Sequence, residues 1–361
     1  MKRIIFTVTN DLSYDQRMQR ICNSLNNAGF KVKLIGRKLK NSQPIDRLAF
    51  ESKRIKCIFN SGFLFYAEYN LRLFFYLLFQ PFDIVCSIDL DTILPGVLVA
   101  KLRLKKCVYD AHEYFTEVPE LENRKLTKSI WEKIAKFTIP KTDKRYTVSN
   151  SIAEIFNKKY NVDFKTIMNF PLLNENKKQL TQKKHPTIIY QGAINKGRGL
   201  EQLIEAMTYL DVKLIIAGEG NLSEHIRMLV ESKGIKEKVK FKGYINPQEL
   251  EELTKTATIA YNLLEKSSLS YYYSLGNKFF SYIHAEIPSI SSNFPEYNSF
   301  NNKFEVSYLT DLKVKNIIKA VNYLIDNKEK YKQLKTNCSK AKEIFNWQKE
   351  SLKLIKIYNE F

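Results

Sequence analysis

Asp110, His112 and Glu113 leave an apolar run together in the stretch "CVYDAHEYFTE". A histidine between two acids at a strand end can contact a reacting group, because its ordinary pKa lies near neutrality and a neighbouring carboxylate moves it. A second acidic pair, Asp89 and Asp91 in "SIDLDTILPG", follows another apolar run. Aspartates with one residue between them fit a metal–diphosphate site, but Asp91 also fits the N-cap of a helix starting at Thr92, and the cap is the preferred reading. Asp15 and Arg17, in "TNDLSYDQRMQRICNSL", open a helix and complete the set of possible sugar or acceptor contacts.

Three other stretches suit an anion. In "YQGAINKGRGLEQLIEAM", Gly192, Gly197 and Gly199 let backbone approach a ligand, Lys196 and Arg198 add positive charge, and the following helix points its first N–H groups at the loop. That combination makes a diphosphate site, although such turns also occur in α/β proteins without one. In "KLIIAGEGNLSEHI", Gly218 and Gly220 flank Glu219 in a tight turn whose plainer reading is a need for positive φ. In "YSLGNKFF", Leu275, Gly276, Asn277 and Lys278 lie at a helix start with Ser274 as its cap, and Ser281 follows one turn on. Tyr271, Tyr272 and Tyr273 read as packing residues.

The elements that must position these groups alternate between β-branched runs and segments of helical period, the pattern of parallel sheets covered by helices. Strands are predicted at 3–8, 31–36, 53–59, 83–89, 106–111 and 144–149, then at 187–192, 213–218, 239–243, 258–264 and 287–293. Pro288 must stand where no ladder donor is needed. The fold class is therefore α/β, with two doubly wound domains: residues 1–170, a polar proline-bounded linker at 171–186, a second domain at 187–345, and a final helix at 346–361. Ligands in such sheets sit at the carboxyl ends of the strands, near the switch points, which places them in the cleft the two domains face. The segment 63–82 is unusually aromatic; packing in the first domain is preferred over lying against a bilayer.

Composition excludes several classes. The 361 residues are 44% hydrophobic and 27% charged, which describes a folded globular chain. The N-terminal apolar run stops too early for a signal peptide or membrane span and reads as a first strand. Five scattered cysteines without a C-x-x-C pair imply neither a disulfide framework nor a zinc site, and a reducing cytoplasm fits them. The first loop lacks the glycines of a dinucleotide fingerprint, and no Walker loop, nucleophile elbow or H-E-x-x-H is present. A net charge of +20 points to anionic partners, but no nucleic-acid module accompanies it.

In order and spacing, "FDIVCSIDLDTILPG", "VYDAHEYFTE", "GAINKGRGLEQLIEAM", "IIAGEGN", "VKFKGYINPQEL" and "YYYSLGNKFFSY" resemble a bacterial family 4 glycosyltransferase of the GT-B fold, over nearly the whole chain. The resemblance implies a retaining, metal-independent hexosyltransferase that needs no cofactor beyond a nucleotide-diphosphate sugar, UDP-linked ahead of GDP-linked. It implies a glycan or lipid-linked acceptor in cell-surface polysaccharide or glycolipid assembly, and work in the cytoplasm at the inner membrane face, touching anionic lipid. Lys196 and Arg198 would neutralise the leaving diphosphate, the Gly276–Asn277 turn would add backbone donors, and His112 would contact the donor sugar from across the cleft. The final helix would return to the first domain. This chain departs from the family at Ala193, where an arginine is usual, at Tyr273 and Ser281, where two glutamates are usual, and at Glu286, where glycine is usual. Ser281 leaves the ribose without its usual acceptor, for which Glu265 and Glu286 are the nearby substitutes. A degenerate member that binds nucleotide or scaffolds partners without transfer is the alternative; a GT-B sugar-nucleotide epimerase explains the final helix and phosphate loop less well.

Overall fold

A computed structural model describes every residue except Tyr14, Asn41, Asp46, Arg47 and 175–184, so most of the segment expected as a linker lies outside the described residues. The chain divides into two compact units, Met1–Asn169 with Glu350–Phe361, and Phe170–Lys349.

The first unit holds a seven-stranded sheet of β1 (Arg3–Asp11), β2 (Lys31–Lys38), β3 (Glu51–Lys56), β4 (Ile84–Ile88), β5 (Lys106–Ala111), β6 (Lys144–Thr147) and β7 (Lys165–Thr166) in the order β3-β2-β1-β4-β5-β6-β7. Every pairing is parallel. Central strands are therefore covered on both faces, and Ile4, Ile5, Phe6, Val85, Cys86 and Val108 are all buried. β3 lies earlier than its hydrophobic run suggested, and the two-residue β7 is too short to read from sequence. Strand order reverses between β1 and β4, which makes their carboxyl ends a natural ligand crevice.

Around this sheet, helix Gln16–Asn27 buries Met18, Ile21, Cys22 and Leu25 at helical spacing, each fully buried side chain contributing about 1.5–3 kcal/mol. Helix Leu90–Leu102 contains Pro95, which has no N–H to offer the Asp91 carbonyl; Asn70 Nδ2 donates to that carbonyl instead, at 2.8 Å. The next residue, Gly96, lies against Ser87, where a Cβ would come within 2.1 Å of Oγ, so the helix start is held close over β4. Helix Gly62–Phe79 packs Phe65, Tyr69, Leu73 and Leu77 inward and leaves Leu64, Leu71, Phe75 and Phe79 more than half exposed. Its core reading thus holds for one face only. The end of the chain also belongs to this unit: Tyr358 packs on Phe6 and Phe30, and Glu350 accepts the Met168 N–H at 2.9 Å.

The second unit holds β8 (Thr187–Gln191), β9 (Lys213–Ala217), β10 (Val239–Gly243), β11 (Ile259–Asn262), β12 (Ser289–Ser292) and β13 (Ser307–Thr310) in the order β10-β9-β8-β11-β12-β13, again all parallel. β13 is too polar to stand out in sequence. Pro288 sits just before β12 and serves only as an acceptor, for the Ala260 N–H. Here the order reverses between β8 and β11.

Glu286, at a position where the family usually has glycine, leaves the glycine-type ending of helix Asn277–His284 in place. It takes the left-handed conformation itself, at φ 57°. Its N–H bonds the Ile283 carbonyl and that of Ile287 bonds the Tyr282 carbonyl, the double closure usually built on glycine. A Cβ there costs roughly 1–2 kcal/mol, offset in part by the ion pair from Lys342 Nζ to Glu286 Oε1 at 2.5 Å. Glu286→Ala keeps the strain and loses the ion pair, whereas Glu286→Gly loses both. In thermal melts the glycine variant should unfold above the alanine variant; the reverse order would refute the left-handed assignment.

Candidate functional site

Each unit gathers candidate residues at its own switch point, and the two gatherings differ in charge. In the first unit, Asp89 adopts φ 53° directly after β4 and precedes helix Leu90–Leu102 without capping it by its side chain. The turn aims its carboxylate at the next loop, where Oδ1 accepts the His112 N–H at 2.8 Å. Asp91 is not the N-cap expected from sequence; it lies in the first turn and accepts from Thr9 Oγ1 at 2.5 Å. Burial, with Glu113 nearby, pushes its carboxyl up to about 7. Asp89 is raised too, by burial first and then by Glu113 and Asp91.

Asp110 and Arg17 are not surface contacts. Asp110 is fully buried and Arg17 nearly so; they pair at 3.2 Å, and Arg17 also donates to the Ile167 carbonyl. The other Asp110 oxygen meets His112 Nε2 at 3.0 Å, leaving the His112 side chain 18% exposed. Asp15 does cap its helix, accepting the Met18 N–H at 3.1 Å. Its carboxylate is a helix device, joined by a hydrogen bond from Asn10.

Desolvation opposes a charge on His112, but the Asp110 carboxylate outweighs it and holds the imidazole above its ordinary 6.5. Desolvation likewise opposes Asp110, and His112 with Arg17 hold that carboxyl below its ordinary 3.8. By linkage, the histidine's contribution to stability is complete below about 6.5 and is lost as pH rises through its raised value, while the aspartate's is complete above about 4 and is lost as pH falls through its lowered value.

In the second unit the loops after β8 and β9 are stitched together. The Ile194 N–H donates to the Glu219 carbonyl, the Leu222 N–H to the Ile194 carbonyl, and the Asn221 N–H to Asn195 Oδ1. Gly218, at φ 142°, is the point of closest approach: a Cβ there would come within 2.0 Å of the Gly192 oxygen. Glu219 contributes its carbonyl to this seam and Gly220 lies close against it, where a Cβ would come within 2.5 Å of the Ile194 oxygen; the Glu219 carboxylate is taken by Arg227 at 2.6 Å, and Arg227 lies over Phe241.

Buried tyrosines pin the loop carbonyls. Tyr190 Oη donates to Ala193 O and Tyr261 Oη to Gly199 O, each at 2.6 Å. Tyr297 Oη accepts the Gly276 N–H at 3.2 Å, so that donor, assigned to a phosphate from sequence, is already engaged. Ser274 is not the cap of helix Asn277–His284; Gly276 holds that position, and Ser274 Oγ donates back to the Tyr271 carbonyl. Leu275 is buried beneath the turn. Ser281 Oγ donates to the Asn277 carbonyl at 3.2 Å. Glu286 is bound to Lys342, which removes it as a substitute acceptor, whereas the Glu265 N–H donates to the Gly197 carbonyl and so holds Glu265 beside the phosphate loop.

Among the described residues, Lys196, Arg198 and Lys278 of this site have no carboxylate ion-pair partner. Lys196 is exposed. The Arg198 guanidinium lies 4.6 Å from the centre of the Tyr271 ring, and its buried Nε has no hydrogen-bond partner. Gly197 must remain small, because a Cβ would come within 2.8 Å of that same ring. Lys278 Nζ lies 4.2 Å over Tyr190, and desolvation, with Arg198 alongside, pulls its pKa well below the lysine range. Sequence reasoning gave Tyr271 no such role, and the one available signal was its place in the polar stretch that follows a buried strand; the structure puts it in the short helix Leu269–Tyr273.

The family described as Glycosyltransferase Family 4 matches residues 16–170, and that described as Glycosyl transferases group 1 matches residues 173–341. An uncharacterized glycosyltransferase of Methanocaldococcus jannaschii, MJ1607, is 33% identical over 76 residues, so the match spans about a fifth of each protein (20% of this chain and 20% of the relative). Among solved structures, HepE of Anabaena in complex with UDP and glucose superposes with a TM-score of 0.82 at 11% identity, covering 100% of both chains. Sucrose-phosphate synthase of Thermosynechococcus elongatus gives 0.77 at 15% identity, covering 100% of this chain and 99% of that one. At these identities the structures establish a shared fold.

Asp110→Asn should drop the His112 pKa below its wild-type value in a histidine NMR titration, because desolvation and Arg17 are then opposed by Asp89 but no longer by Asp110. It should also cost about 3–5 kcal/mol in denaturant unfolding by stranding a buried guanidinium. An unchanged histidine titration would show that Asp110 does not control the ring.

Proposed function

Because the chain belongs to the GT-B glycosyltransferases of the family 4 type, we propose that it moves a sugar from a nucleoside-diphosphate donor to an acceptor hydroxyl with retention of configuration. The observation that carries this reading is the basic site at the second unit's switch point, where Arg198 and Lys278 have no carboxylate partner among the described residues. A leaving diphosphate supplies that missing charge, and stabilising it is the main catalytic contribution expected of these residues. Lys196 and Arg198 do this work in place of a metal ion. Glu265, held beside Gly197, takes the ribose contact in place of Ser281. His112 serves the transferred sugar. A hexose on UDP is preferred over one on GDP, in keeping with a neighbour solved with UDP and glucose. A nucleotide-binding protein without transfer activity is the second reading, favoured by the inward hydrogen bond of Ser281.

In a thermal-shift titration with UDP, GDP and CDP, one nucleotide should stabilise the wild type, and Arg198→Ala should weaken its binding roughly ten- to hundredfold, the loss expected for a charge-assisted hydrogen bond. No stabilisation by any nucleotide would overturn the donor reading. Binding without sugar transfer to a membrane extract would favour the second.

The acceptor is proposed to be a glycan or lipid-linked sugar for cell-surface polysaccharide or glycolipid, met in the cytoplasm at the inner membrane face. No helix of the described residues is long and apolar enough to cross a membrane. Helix Gly62–Phe79 is nevertheless largely apolar, interrupted by Glu68, Asn70 and Arg72, and it carries a bare outer stripe of Leu64, Leu71, Phe75 and Phe79; its Tyr66 packs on Trp131 of helix Lys125–Thr138, which carries four lysines and one glutamate. The protein should co-sediment with phosphatidylglycerol vesicles at low salt and not with phosphatidylcholine vesicles, and Leu71→Asp with Phe75→Asp should abolish binding. Equal binding to both lipids would refute the electrostatic part.

A further inference from the structure

We infer that His284 is an acid-released latch: its imidazole fastens the last turn of helix Asn277–His284 to the stretch by which the chain leaves the second unit, and protonation loosens that hold. Nothing in this latch depends on a nucleotide donor. The chain enters the unit at Phe170 and leaves it after Lys349. The two passages pair with each other: the Trp347 N–H donates to the Pro171 carbonyl at 2.9 Å, the Leu173 N–H to Gln348 Oε1 at 3.0 Å, and Gln348 Nε2 to the Leu173 carbonyl at 3.1 Å. This seam rests on helix Asn277–His284. Phe170 packs edge-on against Phe280 at 4.6 Å and against Phe345 at 5.6 Å. One turn after Phe280, His284 Nε2 lies 2.8 Å from the Phe345 carbonyl oxygen. A carbonyl only accepts, so Nε2 carries the proton, and in the neutral ring Nδ1 carries none. The same helix begins just after Gly276, so the latch seats an element that lines the candidate site.

Among the described residues no carboxylate pairs with His284, in contrast to His112. The charged groups around it have partners of their own. Glu251, from helix Pro247–Lys255, is held by Lys255 at 2.8 Å and by Asn174 at 2.9 Å. Lys342, from helix Lys328–Ile344, is held by Glu286 at 2.5 Å, and Lys349 donates to the Glu343 carbonyl at 2.7 Å. Desolvation disfavours a second proton on the ring and Lys342 adds to this, against the Phe345 and Leu172 carbonyls and Glu251; the balance keeps His284 below its ordinary 6.5. Opening the seam returns the ring to water and to that ordinary value. By linkage, the neutral ring's contribution to the closed seam is complete above about 6.5 and is lost as pH falls through the lowered value, because the open form then binds the proton more readily.

Hydrogen exchange read by mass spectrometry and corrected for intrinsic rates, on wild type, His284→Gln and Lys342→Gln between about pH 8 and about pH 5, tests this, with the histidine midpoints read by NMR. In wild type, peptides covering 170–174 and 345–349 should lose protection on acidification, roughly tenfold for every pH unit that separates the His284 midpoint from 6.5, while β8 and β9 keep theirs. His284→Gln, which can still donate to Phe345 but cannot be charged, should keep the seam protected to the acid end. Lys342→Gln should raise the His284 midpoint and shrink the acid loss. Unchanged protection in wild type, an equal acid loss in His284→Gln, or a His284 midpoint that does not move in Lys342→Gln would each overturn the latch.

Discussion

Parallel pairing is the constraint from which both sites follow. Every paired strand of the two sheets runs with its neighbours, so the sheets need helical crossovers on both faces and their central strands become mostly apolar. Small polar side chains such as Thr7, Ser87 and Ser291 are buried within strands, while charged side chains collect toward the strand ends, most densely where the order reverses and adjacent loops diverge. Asp89, Asp110 and His112 stand at such ends in the first unit. Gly192, Gly218 and Glu265 do so in the second.

The two clusters treat charge in opposite ways. In the first unit, Arg17, Asp110 and His112 form a connected buried set in which each charge faces an opposite one, and the backbone carbonyl of Ile167 takes part. Such a set fixes the orientation of a ring more than it adds net stability. In the second unit, tyrosine hydroxyls satisfy the loop carbonyls while Arg198 and Lys278 have no carboxylate partner among the described residues. The loop backbone is thereby rigid before any anion arrives, which is what pre-organised stabilisation of a leaving group requires.

The positions where this chain departs from its family behave differently from one another. Glu286 retains the left-handed helix ending that glycine would serve, at the cost of strain, and spends its carboxylate on Lys342. Ser281 turns its hydroxyl to its own helix. At Ala193 the backbone is still tied down by Tyr190, although the side chain brings no charge. Helix geometry and loop anchoring therefore survive these changes, because both are carried by backbone hydrogen bonds rather than by the substituted side chains.

Hydrophobic period and residue order alone determined the α/β class, most strands, the family, and the stretches that hold the site, because a parallel sheet writes its buried strands as continuous apolar runs and its loops as glycine-rich breaks. The short β7 and polar β13 escaped that signal. What only the tertiary structure decided is which polar atoms meet: that Asp110 faces His112 and Arg17 rather than solvent, that Asp91 bonds Thr9 instead of capping its helix, that Ser274 turns back to Tyr271, and that Lys278 shares a site with Arg198. It alone also showed one aromatic helix to be packed on one face and bare on the other. These pairings join residues on different strands and loops, and the angle at which a side chain leaves its element is set by packing, which local sequence does not encode.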